Sequence, residues 1–341
     1  MIEGIQYLRA IAALMVVAHH ARHFFGADLP AWSSFGARGV DIFFVISGFV
    51  IAHVSRGFEP GEARWPQIRA FLVRRFIRVV PLYWLFLLLA AWFLVGWLGK
   101  GLLLDLAFLP RHYPLNAAFI APALLPGWSV NYEIFFYLVF ALSLAFGGLR
   151  YMLLSAALVG LVVAGWVIDG PAPAWSFYTS PLLLTFLLGV ALNHTYRADA
   201  PRGRLQALLL VVGGATGLAL TGIAPKEARL LMSGLCAAVL VLGAIHLCSG
   251  WKCRALLLIG DASYSIYLSH LFTFIWVGQG CRLLGFGTLT PVAAACVITL
   301  HVTAATLAGV AVHFLVERPL LAVCKRIWGR LGSVGAALAS P

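Results

Sequence analysis

Arg9 and His20 are the first residues whose types and spacing could do chemistry. Ten residues lie between them in an otherwise apolar run. Eleven steps of about 100° come to three turns plus about 20°, so on a helix both project from one face, roughly 16 Å apart along the axis. An imidazole, with an ordinary pKa near ~6.5, can take a proton from a hydroxyl and give it back. His19 points about 80° away from His20 and is the weaker candidate. The competing reading is an arginine that snorkels to the membrane surface and a histidine that bonds a neighbouring helix.

Three further constellations carry polar chemistry into apolar surroundings. Asp41 opens the run Gly39-Val40-Asp41-Ile42-Phe43-Phe44-Val45-Ile46-Ser47-Gly48-Phe49. A carboxylate beside an imidazole orients the ring and stabilises its protonated form; equally, an Asp near a helix start caps it, and Ser47 and Gly48 would then be small packing residues. Arg75 and Arg78 are i,i+3 and share a helix face, where two guanidinium groups can grip phosphates bidentately. The other reading of that pair is an anchor on the cytoplasmic side of a membrane. Trp128-Ser129-Val130-Asn131-Tyr132-Glu133 places Ser129 and Glu133 on one face, with Asn131 and Tyr132 adjacent. An embedded glutamate faces a bundle interior, either as a reactive group or as a hydrogen-bond anchor. The stretch Asp261 to His270, including Tyr264 and Ser265, is polar enough to line a cavity, and Glu317-Arg318-Pro319 reads as an ion pair and helix stop.

These residues need elements to position them, and composition says which. Of 341 residues, 62% are hydrophobic and 11% charged, with a mean hydropathy of +0.95. A soluble protein carries about 25% charged residues, and a disordered one is poor in apolar residues. Both classes are excluded. About ten apolar segments reach the roughly 20 residues that a span requires: 5–25, 39–55, 79–99, 128–147, 150–168, 176–195, 205–223, 228–248, 259–281 and 289–316. The fold class is therefore all-α, a polytopic membrane bundle of about ten helices, since strands of a membrane barrel are far shorter. Residues 102–126 are apolar but broken by Pro110, Pro114, Pro122 and Pro126, which suggests an interfacial or re-entrant segment. Residues 1–319 form the membrane domain, and 320–341 are expected to be a short, solvated cytoplasmic tail.

A net charge of +12 would invite nucleic acid in a soluble protein; in a membrane protein its distribution sets orientation. With the N-terminus inside, sixteen of the 24 Lys and Arg residues fall on the cytoplasmic side, seven fall outside and Arg9 lies within the first run. Both termini are thus expected in the cytoplasm. Arg9 and the pair His19–His20 interrupt what would otherwise mimic a signal peptide. The cysteines form no CxxC and no spacing with histidine that suits a metal, so neither a metal site nor a disulfide framework is read here.

Taken together, the motifs resemble acyltransferase family 3, membrane enzymes that O-acylate extracytoplasmic carbohydrates. Arg9 with His20, Gly39 to Phe49, Arg75 and Arg78 with Pro81, Tyr83 and Trp84, Trp128-Ser129 to Glu133, Tyr264-Ser265-Ile266-Tyr267-Leu268 with His270, and Glu317-Arg318-Pro319 fall in the family's order. Gly4-Ile5-Gln6-Tyr7-Leu8-Arg9-Ala10 and Asn131-Tyr132-Glu133 are similar to its exopolysaccharide-modifying branch; the commoner form has Ser-Val-Glu at the latter positions. The resemblance implies an acyl-CoA donor (acetyl-CoA or another short acyl group), a sugar acceptor on an exopolysaccharide or lipid-linked glycan, and a multi-pass protein of a bacterial inner membrane. On the orientation above, Asp41 and Glu133 sit on helices entering from outside at a depth similar to His20, so the three are expected to converge on one cavity as catalytic residues, with His20 as general base or acyl carrier. Arg9, Arg75, Arg78, Tyr264 and Ser265 would hold the donor, and Trp128, Asn131 and Tyr132 the acceptor. A proton-coupled transporter of a sugar or small solute is the alternative, because embedded His, Asp and Glu also build proton relays; the two-half symmetry of such transporters is not evident.

Overall fold

A computed structural model describes residues 2–24, 31–58, 64–93, 96, 99–196, 203–283 and 291–338, with backbone alone at 23–24, 31–34, 226–227, 281–283, 291 and 330–338. Arg197 and Arg202 of the charge count lie outside the described residues, as do the side chains of Lys226, Cys281, Arg282 and Arg330.

The described residues are helical almost throughout, the arrangement in which an apolar segment satisfies its own backbone groups away from water. The longer helices are α1 (Glu3–Phe24), α2 (Gly39–Val54), α3 (Arg64–Phe93), α5 (Gly127–Leu144), α6 (Arg150–Val167), α8 (Leu182–Thr195), α9 (Arg204–Leu220), α10 (Lys226–Leu247), α12 (Ser263–Leu283), α13 (Pro291–Val312) and α14 (Arg318–Leu338). Short helices α4 (Lys100–Leu106), α7 (Pro173–Tyr178) and α11 (Arg254–Asp261) join them, with a 3₁₀ turn over Ala31–Arg38 leading into α2.

Among the described residues, eight helices are long and apolar enough to cross a membrane, or nine if α11 and α12, bent by 73° at their junction, make one span. α1 is not one of the eight. Its polar residues are carried on a helix of small ones: Ala10, Ala12, Ala13, Val17 and Ala21 are fully buried. It packs against α2, α10, α11, α12 and α13 and so occupies the middle of the bundle. Large apolar side chains such as Leu142, Met152, Trp166 and Leu209 are instead exposed around the outside, as lipid-facing residues would be.

The α2–α8 contact shows how tightly the helices meet. A Cβ at Gly48 would run into the carbonyl of Phe186, and one at Gly189 into the carbonyl of Val45. Both positions need glycine for the backbones to touch. Phe44 stacks on Phe186 beside that contact, with ring centroids 4.4 Å apart.

Two regions show structure that the sequence did not specify. Residues 102–126 are neither a span nor a simple re-entrant helix. They form α4 and then an antiparallel hairpin, β1 (His112–Tyr113) and β2 (Asn116–Ile120). Its anchor is Asp105, fully buried, which takes two bonds from the Arg111 guanidinium at 2.7 and 2.6 Å and one from the Ala123 amide at 3.0 Å. The prolines stop a helix there, and this ion pair ties the resulting loop down. The tail after Pro319 is helical through Leu338. α14 continues from α13 through a π-helical turn at His313–Glu317 and reaches α3, where the Arg69 guanidinium lies 5.0 Å from the Trp328 ring.

Candidate active site

Two cavities lie at opposite ends of α1. The larger, of about 370 Å³, takes in Gln6 and Arg9 from α1, Ser47 from α2, Arg75 and Arg78 from α3, Ser129, Glu133 and Tyr137 from α5, and Ser263, Tyr264 and Tyr267 from α12. The smaller, of about 260 Å³, is lined by His19 and His20, by Phe119 and Ile120 of the hairpin with Ala121 after it, and by Leu125 and Trp128. We call these the arginine cavity and the histidine cavity.

The arginine cavity carries three guanidinium groups and one carboxylate, so its field favours an anion. Arg9 is held in place: it donates to Gln6 at 2.9 Å and to Ser263 at 3.0 Å, and Gln6 in turn donates to Asp261 at 2.6 Å. Arg75 is held differently, over the rings of Phe71 and Tyr137 at 5.7 and 6.0 Å. Its Nε is buried with no hydrogen-bond partner among the described residues. A buried guanidinium nitrogen left in that state invites an oxygen acceptor from a ligand. Glu133 accepts from Ser47 at 3.1 Å and from Tyr137, which stands one turn further along α5. The Tyr264 hydroxyl donates to the Val79 carbonyl at 2.8 Å, fixing α12 to α3 beside Arg78.

The histidine cavity is built by α1 under the hairpin. His20 Nδ1 is 3.0 Å from the Val16 carbonyl and 3.2 Å from Nε2 of His270, a fully buried residue of α12. His270 Nδ1 in turn faces the Tyr267 carbonyl at 2.7 Å.

The residues expected to act together are therefore divided. His20 and Glu133 face different cavities. Asp41 lines neither: it sits in the first turn of α2, 3.6 Å from Arg38, and accepts from Ser233 of α10 at 3.0 Å. It braces two helices, and the expected His20–Asp41 pairing does not form. The expected convergence of these three on one cavity is thus corrected: burial gave each a polar partner on its own neighbouring helix.

Among the expected donor residues, Arg9, Arg75, Arg78 and Tyr264 share the arginine cavity. Ser265 does not, because adjacent helical residues point about 100° apart. It donates instead to Glu317 at 2.6 Å, and Glu317 also holds His313 at 2.7 Å. Of the expected acceptor residues only Trp128 lines one of these two cavities. Asn131 and Tyr132 are buried, and Tyr132 stacks on Phe177 with centroids 3.7 Å apart. Ser263 and Tyr267, from the stretch expected to line a cavity, line the arginine cavity, and Gln6, Ser47 and Tyr137 join them without having been assigned to the site. The signal for Tyr137 and Ser263 was helical phase: Tyr137 is i+4 from Glu133, and Ser263 lies i−4 from Tyr267. Among the described residues, no group of three or more His, Cys, Asp or Glu is arranged to hold a metal ion.

Comparison with known proteins gives this geometry its context. A family profile for an acyltransferase domain matches residues 2–309. The exopolysaccharide production protein ExoZ of Rhizobium meliloti (strain 1021) is 35% identical, over 84% of this chain and 90% of that protein. The acyltransferase MdmB of Streptomyces mycarofaciens is 27% identical over 97% of this chain and 93% of its own length. The peptidoglycan O-acetyltransferase OatA of Listeria monocytogenes shares 35% identity, but over only 24% of this chain and 12% of OatA. No solved structure matches the chain. With the profile covering nearly the whole helical bundle, the chain belongs to acyltransferase family 3 and is an acyltransferase built on a multi-pass membrane scaffold.

Proposed function

We propose that this enzyme is a membrane O-acyltransferase that moves an acetyl or other short acyl group from cytosolic acyl-CoA to a hydroxyl of an extracytoplasmic polysaccharide or glycolipid sugar. The observation that carries this reading is α1, which joins an anion-attracting cavity at one end to a cavity with a hydroxyl-activating imidazole at the other. Arg9, Arg75 and Arg78 match the phosphates of a CoA-type donor, with the buried Arg75 Nε as a ready partner. Glu133 offsets part of their charge and belongs to the donor side. The names of ExoZ and OatA point to carbohydrate acceptors, and that chemistry suits the histidine cavity, where Trp128 offers a flat apolar face beside His20.

The transfer balances without a further reactant. The sugar hydroxyl gives its proton to His20 as its oxygen attacks the thioester carbonyl carbon. A C–O bond forms, the C–S bond breaks, and the leaving thiolate takes the proton from His20. One thioester and one hydroxyl become one ester and one thiol.

The arrangement requires the arginine cavity to face the cytoplasm, with both termini on that side of a bacterial inner membrane. The excess of Lys and Arg in the corresponding loops supports this orientation. It also requires an even number of crossings: α1, if it crosses as well, would bring the eight apolar helices and the bent pair to ten.

The test is purified protein in bilayers with labelled acyl-CoA and candidate glycans. Label on the glycan with release of free thiol supports the proposal. Movement of a sugar across the bilayer with the thioester unconsumed would replace it with the transporter.

A further inference from the structure

The hydrogen bonds around His20 fix more than its place. His270 Nδ1 lies 2.7 Å from a backbone carbonyl, which can only accept, so that nitrogen carries the hydrogen. Among the described residues no carboxylate bonds either nitrogen of His270, and the fully buried ring is neutral, leaving its Nε2 as an acceptor. That Nε2 faces His20 Nδ1 at 3.2 Å, and the same Nδ1 faces the Val16 carbonyl at 3.0 Å. Both described neighbours of His20 Nδ1 are acceptors, so it holds a hydrogen and shares it between them. In neutral His20 the lone pair then resides on Nε2. The opposite tautomer would set three lone pairs against one another around Nδ1.

We propose that His270 is a positioning residue: by accepting the Nδ1 hydrogen of His20, it holds that imidazole in the tautomer whose Nε2 is the base. This inference rests on the assignment of His20 as base in the proposed transfer. The Val16 carbonyl also accepts that hydrogen but lies one turn back on the same helix and leaves the ring free to turn away, whereas His270 reaches from α12 and fixes the plane of the ring. The two rings stand 5.0 Å apart with planes 42° from parallel. The anchor continues through Tyr267, whose carbonyl holds His270 while its side chain lines the arginine cavity.

The decisive measurement is solid-state nitrogen NMR on the ¹⁵N-histidine-labelled protein in bilayers, with the His20 signals identified by their loss in His20→Ala. Neutral wild-type His20 should show a protonated Nδ1 and an unprotonated Nε2. His270→Ala should return His20 to a mixture of tautomers and lower kcat at least tenfold, with KM for the donor unchanged. His270→Gln, whose amide oxygen can sit where Nε2 was, should restore most of the lost kcat. A wild-type His20 carrying its hydrogen on Nε2 overturns the proposal, as does an unaltered tautomer in His270→Ala. Failure of the underlying reading has a different signature: His20→Ala would keep turnover while the tautomer result stood.

Discussion

Ser129 and Tyr267 share a 2.7 Å hydrogen bond at the seam between the two cavities. Both hydroxyls also lie within bonding distance of the Pro126 carbonyl, at 3.1 and 3.0 Å, so three oxygens share two hydrogens. Ser129 lines the arginine cavity, whereas its neighbour Trp128 lines the histidine cavity. In the proposed transfer, the start of α5 and the Tyr267 ring form the partition between donor and acceptor.

That placement gives the first prediction. Tyr267→Ala removes the partition and admits water toward the thioester. Acceptor-independent release of thiol from acyl-CoA should rise above the wild-type level, measured with a thiol reagent in the absence of glycan. Tyr267→Phe keeps the ring and removes only the hydroxyl, so it should leak little and lose about 1 kcal/mol of stability. Equal leakage from both variants would mean that the hydroxyl bond, not the ring, is the barrier.

The donor side yields the second. Arg75 and Arg78 face a common cavity from one helix face, three residues apart. Replacing either by Lys keeps the charge but loses the planar fork, and the loss of one charge-assisted bond, about 1.5–3 kcal/mol, should weaken binding of a CoA analogue by roughly tenfold or more. Arginines that serve only as topological anchors would tolerate Lys with no change in affinity.

Asp41 supplies the third. It holds Ser233 and Arg38 and does not bond His20, so its removal should be felt in stability more than in chemistry. Asp41→Asn should lower the thermal midpoint, with a destabilisation on the order of 1–3 kcal/mol, while kcat of the surviving folded protein changes little. A large fall in kcat with an unchanged midpoint would return Asp41 to the reaction.

How the residues divided between sequence and structure follows from what each signal measures. Apolar runs report helices, because a chain in lipid has few other ways to pair its backbone, and all ten runs fall largely on helix among the described residues. Arg9, Arg75 and Arg78 were legible because charge in an apolar run demands a reason. Depth along the axis placed His20, Asp41 and Glu133 near one another, but rotation about it decided their partners. Glu133 turns to Ser47 and Tyr137, Asp41 to Ser233, and only His20 meets another titratable ring across helices. Pairings such as His20 with His270, separated by 250 residues, depend on which helices become neighbours, and no local pattern encodes that. Asp105 was overlooked for the opposite reason, since an acid in a proline-rich stretch reads as loop, yet it is fully buried and doubly bonded to Arg111.

The fourth prediction concerns His19 and His20. Helical phase alone favoured His20, but both side chains line the histidine cavity, so facing the cavity no longer separates them. What does is the bond network: the Nδ1 of His20 is engaged by the Val16 carbonyl and by His270 across the bundle. A general base needs its reactive nitrogen held in one orientation, and removing such a base costs about 10²–10⁴ in rate. His20→Ala should lose turnover in that range. It should still bind the donor, because the arginine cavity lies at the other end of α1. His19→Ala should change turnover only several-fold, through the shape of the cavity wall. Single-turnover transfer to a glycan, read beside binding of a CoA analogue, distinguishes the two. Should His19→Ala prove the more damaging with donor binding intact, the base would be the histidine that the bundle does not tie to His270, and orientation by that contact would have no part in catalysis.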